Sequence, residues 1–169
     1  ERDPDLPAVL AETLAPWADR FALVQKDALD LTVDDLRDAL GRLDPPETAP
    51  GKLVANLPYA VAATVVLDYF ERFPSLGSAT VMVQKEVADR MAAVPGTKNY
   101  GAYTVKLRLY AEPAGRFGVG PGNFFPPPRV ESAVLRLDRR PLHGEDGAPL
   151  AASTLKAAAT MADAAFANR

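Results

Sequence analysis

Leu53-Val54-Ala55-Asn56-Leu57-Pro58-Tyr59 is a short apolar run that stops on a polar, proline-stiffened turn. Lys52 to Ala55 reads as a four-residue buried strand, since short apolar runs bounded by turn signals mark strands rather than helices. Asn56 and Leu57 then offer two acceptors side by side, a carboxamide oxygen and a backbone carbonyl. Pro58 contributes no N–H and fixes its own φ, so the turn aiming those oxygens is stiff. Tyr59 presents a flat face on which a nucleobase can stack, a contact worth roughly 1–3 kcal/mol. An exocyclic amine on a purine is a poor nucleophile because its lone pair is delocalised into the ring. Two acceptors that take both amine hydrogens draw the nitrogen toward a tetrahedral, lone-pair-localised geometry. The same tetrapeptide also fits an ordinary strand-ending turn with a packed tyrosine, and by itself it does not choose between the two.

Working outward, residues 5–19 carry apolar positions at helical spacing (Leu6, Val9, Leu10, Leu14, Trp17), which predicts a helix. Phe21 to Gln25 reads as a strand, Asp34 to Leu43 as a short amphipathic helix, and 44–50 as a loop. Beyond the turn, Val61 to Phe73 predicts a helix, Ser78 to Gln84 a strand and Lys85 to about Val94 a helix. Residues 95–101 form an exposed turn, Tyr103 to Ala111 alternates as a strand, and Pro113 to Pro128 reads as a Gly/Pro-rich loop. Val130 to Leu137 alternates again, and a last helix runs from about Ala151 toward Arg169. Strands alternating with helices imply an α/β fold with a mostly parallel sheet. The last two strands follow one another without a helix, so they are expected to pair antiparallel.

Composition narrows the chemistry. The 169 residues include no cysteine and a single histidine, His143, in a turn-rich polar stretch, which argues against disulfides, thiolate nucleophiles and a histidine-rich metal centre. No apolar span of membrane length and no opening signal segment occur, so the expected location is the cytoplasm, with no membrane partner. The net charge of −3 conceals an asymmetry: residues 1–80 carry −7, residues 81–140 carry +5 and the remainder −1. A basic second half suits phosphates, with Lys106, Arg108 and Arg116 as candidate contacts.

Several spaced segments agree with one family. Glu1-Arg2-Asp3, Gln25-Lys26-Asp27-Ala28, Asn56-Leu57-Pro58-Tyr59, Gln84 to Arg90, Tyr100-Gly101 and Phe124-Phe125-Pro126-Pro127-Pro128-Arg129-Val130-Glu131-Ser132-Ala133-Val134 occur in order along the chain. The chain resembles the KsgA family of ribosomal RNA adenine dimethyltransferases, with the erythromycin-resistance methylases as cousins. The resemblance implies a Rossmann-like, S-adenosylmethionine-dependent methyltransferase sheet over residues 1–140 and the start of a small helical, RNA-binding C-terminal domain over 141–169. It implies methyl transfer to the exocyclic amine of adenines in small-subunit ribosomal RNA, twice per base, without a metal. The implied partner is ribosomal RNA or the precursor of the small subunit, met by a monomer. Rival readings are a resistance methylase of large-subunit RNA and a non-catalytic ribosome-assembly factor.

Site roles follow from the same resemblance. Glu1 resembles the acid that accepts from the cofactor ribose hydroxyls, the usual task of an acid at that place in such folds. Asp27 resembles the acceptor for the cofactor adenine amine, with the Ala28 amide beside it; a helix N-cap is the alternative role for Asp27. Asn56, Leu57, Pro58 and Tyr59 form the catalytic turn, and Asn56 also faces the cofactor. Phe124 resembles the aromatic that closes over the flipped adenine opposite Tyr59, with Phe125 as a rival one position on. Lys85 and Arg90 suit RNA contacts or ion pairs. The family's glycine-rich cofactor loop precedes the acid matched to Glu1, and its C-terminal domain extends past Arg169, so a longer parent protein is expected.

Overall fold

In the computed structural model, which describes residues 1–167, the chain falls into two compact units, Glu1–Gly51 and the residues from Lys52 onward.

The first unit holds two short α-helices, α1 (Leu6–Thr13) and α2 (Val33–Leu40), with single 3-10 turns at Ala15–Trp17 and Ala28–Asp30. The predicted helix over 5–19 stops early because Pro16 cannot donate to the ladder and crowds the preceding turn. The predicted strand Phe21–Gln25 forms no ladder among the described residues. Its backbone pairing is limited to residue 1: the Glu1 nitrogen donates to the Val24 carbonyl at 3.0 Å, and the Lys26 amide to the Glu1 carbonyl at 2.9 Å. Strand propensity supplies a shape; a strand also needs a partner for its N–H and C=O groups. Helix α2 starts on a reciprocal cap: Thr32 Oγ1 accepts from the Asp35 amide at 3.1 Å, and the Asp35 carboxylate accepts from the Thr32 amide at 2.8 Å. Lys26 Nζ adds a 2.6 Å contact to the same carboxylate, and the lysine and threonine donors together hold Asp35 down at a pKa of about 2.

The second unit is built on a four-stranded sheet with β1 (Lys52–Asn56), β2 (Ser78–Gln84), β3 (Ala111–Val119) and β4 (Ser132–Arg139) in the order β1-β2-β4-β3. Strands β1 and β2 are parallel, from Lys52 opposite Ser78 to Asn56 opposite Met82. The crossover between them contains α3 (Ala62–Arg72), which buries Ala62, Val65, Val66, Tyr69 and Phe70. That i, i+3, i+4, i+7, i+8 spacing is one helical stripe. Val65, Val66 and Phe70 are essentially fully buried, and each contributes about 1.5–3 kcal/mol of apolar burial. In β2, Ala79, Val81 and Val83 are buried while the alternate residues are half-buried.

The α/β class and the antiparallel last pair agree with the sequence reading. The expectation of a mostly parallel sheet does not hold among the described strands, because β2–β4 and β4–β3 are both antiparallel. Two neighbouring segments also exchange roles. Most of the predicted strand Tyr103–Ala111 lies in helix α5 (Ala102–Arg108), and the first part of the predicted loop Pro113–Pro128 belongs to strand β3. The alternation of Tyr103, Val105, Leu107 and Leu109 imitates period two, yet the fully buried positions are Thr104 and Leu107, at helical spacing. Tertiary bonds decide the matter. The Thr104 hydroxyl donates to the Arg90 carbonyl at 2.7 Å and the Tyr103 hydroxyl to the Ala63 carbonyl at 2.9 Å, and burial raises the Tyr103 phenol pKa. Strand β3 tolerates Pro113 and its glycines because it is the edge strand, where a missing N–H costs no ladder bond, and its register shifts between Pro113 and Gly115.

Helix α4 (Lys85–Met91) follows β2 directly, and α6 (Ala152–Phe166) lies against α5 through a Lys106–Asp163 ion pair at 2.8 Å and an edge-to-face contact of Tyr100 with Phe166. His143 is exposed, in a small loop closed by a bridge to Pro149, as its turn-rich surroundings predict.

Arg139, the last residue of β4, ties the sheet to α3. Its guanidinium donates to the carbonyls of Leu76 (2.6 Å), Phe70 (2.7 Å) and Phe73 (2.9 Å), and it stacks 5.3 Å from the Phe70 ring. Two of those carbonyls are among the orphans at the end of α3. Arg139→Ala removes all three bonds and strands the Phe70 and Leu76 carbonyls, while Phe73 keeps its bond from the Leu76 amide at 3.0 Å. Urea denaturation is expected to show a loss of about 2–4 kcal/mol. Retention within about 0.5 kcal/mol would mean that water replaces the guanidinium at no cost.

Candidate active site

Asn56 closes β1, and the chain turns at once. The Leu57 amide donates to the Met82 carbonyl of β2 at 3.1 Å, and the Pro58 carbonyl accepts from Val61 and Ala62, both at 3.1 Å, to open α3. The turn is therefore held on both sides, by the neighbouring strand and by the following helix. Leu57 is buried and serves as the anchor, whereas Asn56 and Pro58 are exposed. Neither the Asn56 carboxamide nor the Leu57 carbonyl takes a hydrogen bond among the described residues. Two unspent acceptors thus sit next to each other on a rigid turn.

Across from this turn lies the segment between β3 and β4. Asn56, Leu57, Pro58 and Tyr59 line one cleft of about 390 Å³ together with Phe124, Phe125, Pro126 and Pro128. Segments almost seventy residues apart in sequence are thereby brought together, as the resemblance implies. Phe124 is half-buried, set in place by its amide bond to Pro121 at 3.1 Å, whereas Phe125 is fully exposed. Of the two, Phe124 is the ring already partly packed, and a side chain already ordered loses less freedom on stacking.

Glu1, Asp27 and Ala28 belong to the first unit and are adjacent there. Glu1 Oε1 accepts from the amides of Asp3 (2.8 Å) and Arg2 (2.7 Å), and these bonds lower its pKa. Asp27 Oδ1 accepts from the Leu29 amide at 3.0 Å, capping the 3-10 turn, and Oδ2 pairs with Arg2 Nη1 at 2.9 Å. Those contacts, the Leu29 amide foremost, lower its pKa as well. The capping alternative for Asp27 is thus realised, and it leaves acceptor capacity, since a carboxylate offers about four lone-pair sites. Two ionised carboxylates, Glu1 exposed and Asp27 half-buried, fit the hydroxyl and amine donors of an adenosyl group.

Lys85 and Arg90 are committed to ion pairs, with Glu131 (2.6 Å) and Glu86 (3.2 Å). Lys106 and Arg116 are neutralised as well, by Asp163 and Asp89. Within the basic stretch 81–140, the cations without an ion pair or carbonyl partner among the described residues are Lys98, Arg108 and Arg129. Sequence alone could not separate free from spent charges, because the partners lie far along the chain.

Residues 1–148 match the model of the ribosomal RNA adenine dimethylase family. The chain belongs to that family. It is 42% identical over 165 residues to ribosomal RNA small subunit methyltransferase A of Streptomyces griseus, covering 97% of this chain and 51% of the relative. The protein of the same name from Rhodospirillum rubrum is 38% identical over 169 residues, covering all of this chain and 53% of the relative. The chain therefore spans about half the length of the curated relatives it matches. The fold is shared with solved structures. A dimethyladenosine transferase from Plasmodium falciparum superposes with a TM-score of 0.72 over 99% of this chain and 54% of that one, at 19% identity. The 23S rRNA methyltransferase ErmE gives 0.70 over 99% and 59%, at 25% identity. The fold is accordingly the Rossmann-like one of these methyltransferases.

Proposed function

We propose that this chain is part of an S-adenosylmethionine-dependent enzyme that dimethylates the exocyclic amine of adenines in small-subunit ribosomal RNA. The observation that carries the reading is the pair of unspent acceptors at Asn56 and Leu57, facing a cleft shared with Phe124. An adenine must leave its stack to reach such a cleft, and stacking on Tyr59 and Phe124 offsets part of that cost. The Asn56 carboxamide oxygen and the Leu57 carbonyl then accept the two amine hydrogens and localise the nitrogen lone pair. S-adenosylmethionine, bound with Glu1 and Asp27 as acceptors for its ribose and adenine, supplies an electrophilic methyl group. As the new N–C bond forms, the methyl–sulfur bond breaks, its electron pair leaving on sulfur as S-adenosylhomocysteine. The alkylated nitrogen is acidic and releases one proton to water, so no strong base is needed. The work of the protein is alignment and fixed polarity. The names of the relatives, ribosomal RNA small subunit methyltransferase A, support a small-subunit substrate over a large-subunit one. The remainder of the reading is a cytoplasmic monomer, with 141–169 opening a helical RNA-binding region.

Incubating the intact protein with unmethylated small subunits and labelled S-adenosylmethionine tests this directly. Two methyl groups per target adenine are expected; labelling of large-subunit RNA instead would favour the resistance-type reading. RNA affinity should follow the free cations. Charge reversal at Lys98, Arg108 or Arg129 is expected to weaken binding and reduce the log–log salt slope by about one unit per lost phosphate contact. Equal effects from reversing exposed acids of residues 30–47 would make the charge asymmetry incidental.

A further inference from the structure

Ser132 opens β4, opposite Gln84 of β2 on one side and Val119 of β3 on the other. Its odd-numbered neighbours Ala133, Leu135 and Leu137 fill the core, so Ser132 points to the other face; it is nevertheless only 1% exposed. A buried hydroxyl requires a partner. The structure gives it one side-chain partner, the Tyr59 hydroxyl at 2.8 Å, across 73 residues of sequence. The residue before it is clamped twice to α4: the Lys85 amide donates to the Glu131 carbonyl at 2.9 Å, and Lys85 Nζ to the Glu131 carboxylate at 2.6 Å. Ser132 is thus fixed by two ladders and a clamp, while Tyr59 sits on a turn with its ring bordering the cleft.

We propose that Ser132 is a positioning residue that sets the plane of the Tyr59 ring against the target base. The inference rests on the methyl-transfer reading. The outer torsion of a tyrosine is broad, and a ring tethered only at its Cβ samples planes that do not lie parallel to a base. A bond at the far end of the ring restrains both torsions. Ser132 does not touch the base; it acts through the phenol.

The test is a double-mutant cycle in the intact protein, with Ser132→Ala, Tyr59→Phe and the pair, read as kcat and KM for small-subunit RNA alongside thermal stability. Each single variant is expected to lower kcat about three- to ten-fold, the scale of one neutral hydrogen bond, with KM little changed. The double variant is expected to be no slower than either single one, because both remove the same bond. Ser132→Thr, which keeps the hydroxyl, should lie closer to wild type than Ser132→Ala. Additive losses, or a Ser132→Ala enzyme with wild-type kcat while the wild type methylates, would overturn the inference alone. A wild-type protein inactive on ribosomal RNA would defeat the methyl-transfer reading and this inference with it.

Discussion

Asn56→Ala in the intact protein is expected to reduce single-turnover methyl transfer by about two orders of magnitude or more, the usual cost of removing one preorganised polar group from a transition state. Folding should be nearly untouched. Asn56 is exposed and its carboxamide has no hydrogen-bond partner among the described residues, so alanine removes no native side-chain bond. The turn itself is held by Leu57 and Pro58 backbone bonds that the substitution leaves in place. Cofactor binding through Glu1 and Asp27 should persist, giving the combination of intact binding and lost rate. A rate within a few-fold of wild type would remove Asn56 from the reacting centre.

The aromatic pair gives the second large effect. Tyr59→Leu or Phe124→Leu should each slow methylation by about ten-fold or more, since base stacking is worth roughly 1–3 kcal/mol. Phe125→Leu should do little, because that ring is fully exposed and unseated. The double variant at Tyr59 and Phe124 should lose less than the sum, because both rings are proposed to clamp one base. A large loss at Phe125 with none at Phe124 would exchange the two roles.

The elements that carry the site were readable from sequence because their signals are local. Asn56 to Tyr59 pairs an apolar run with a stiff turn, and Phe124 to Pro128 joins aromatics to a proline run. What escaped depends on distant partners. The segment Tyr103–Ala111 satisfies the strand period, yet as far as Arg108 it is helical, held by bonds to Arg90 and Ala63. The stretch after Pro113 looks like loop because proline and glycine are poor strand formers, yet the open side of an edge strand accepts them. Ser132 carried a weak signal: a small polar residue at a strand end, on the face away from the core, beside an aromatic loop. Nothing local said that its partner would be Tyr59. The free cations Lys98, Arg108 and Arg129 likewise emerge only once the ion pairs of their neighbours are known.

The central claim is that the cleft at Asn56 holds an adenine amine of small-subunit ribosomal RNA. Mass analysis of ribosomal RNA from a strain lacking the gene, complemented with wild type or with Asn56→Ala, tests it most directly. Dimethyladenosine in small-subunit RNA should vanish in the deletion, return with wild type and remain largely absent with Asn56→Ala. Unchanged dimethyladenosine in the deletion strain, or full restoration by the Asn56→Ala protein, would contradict the account.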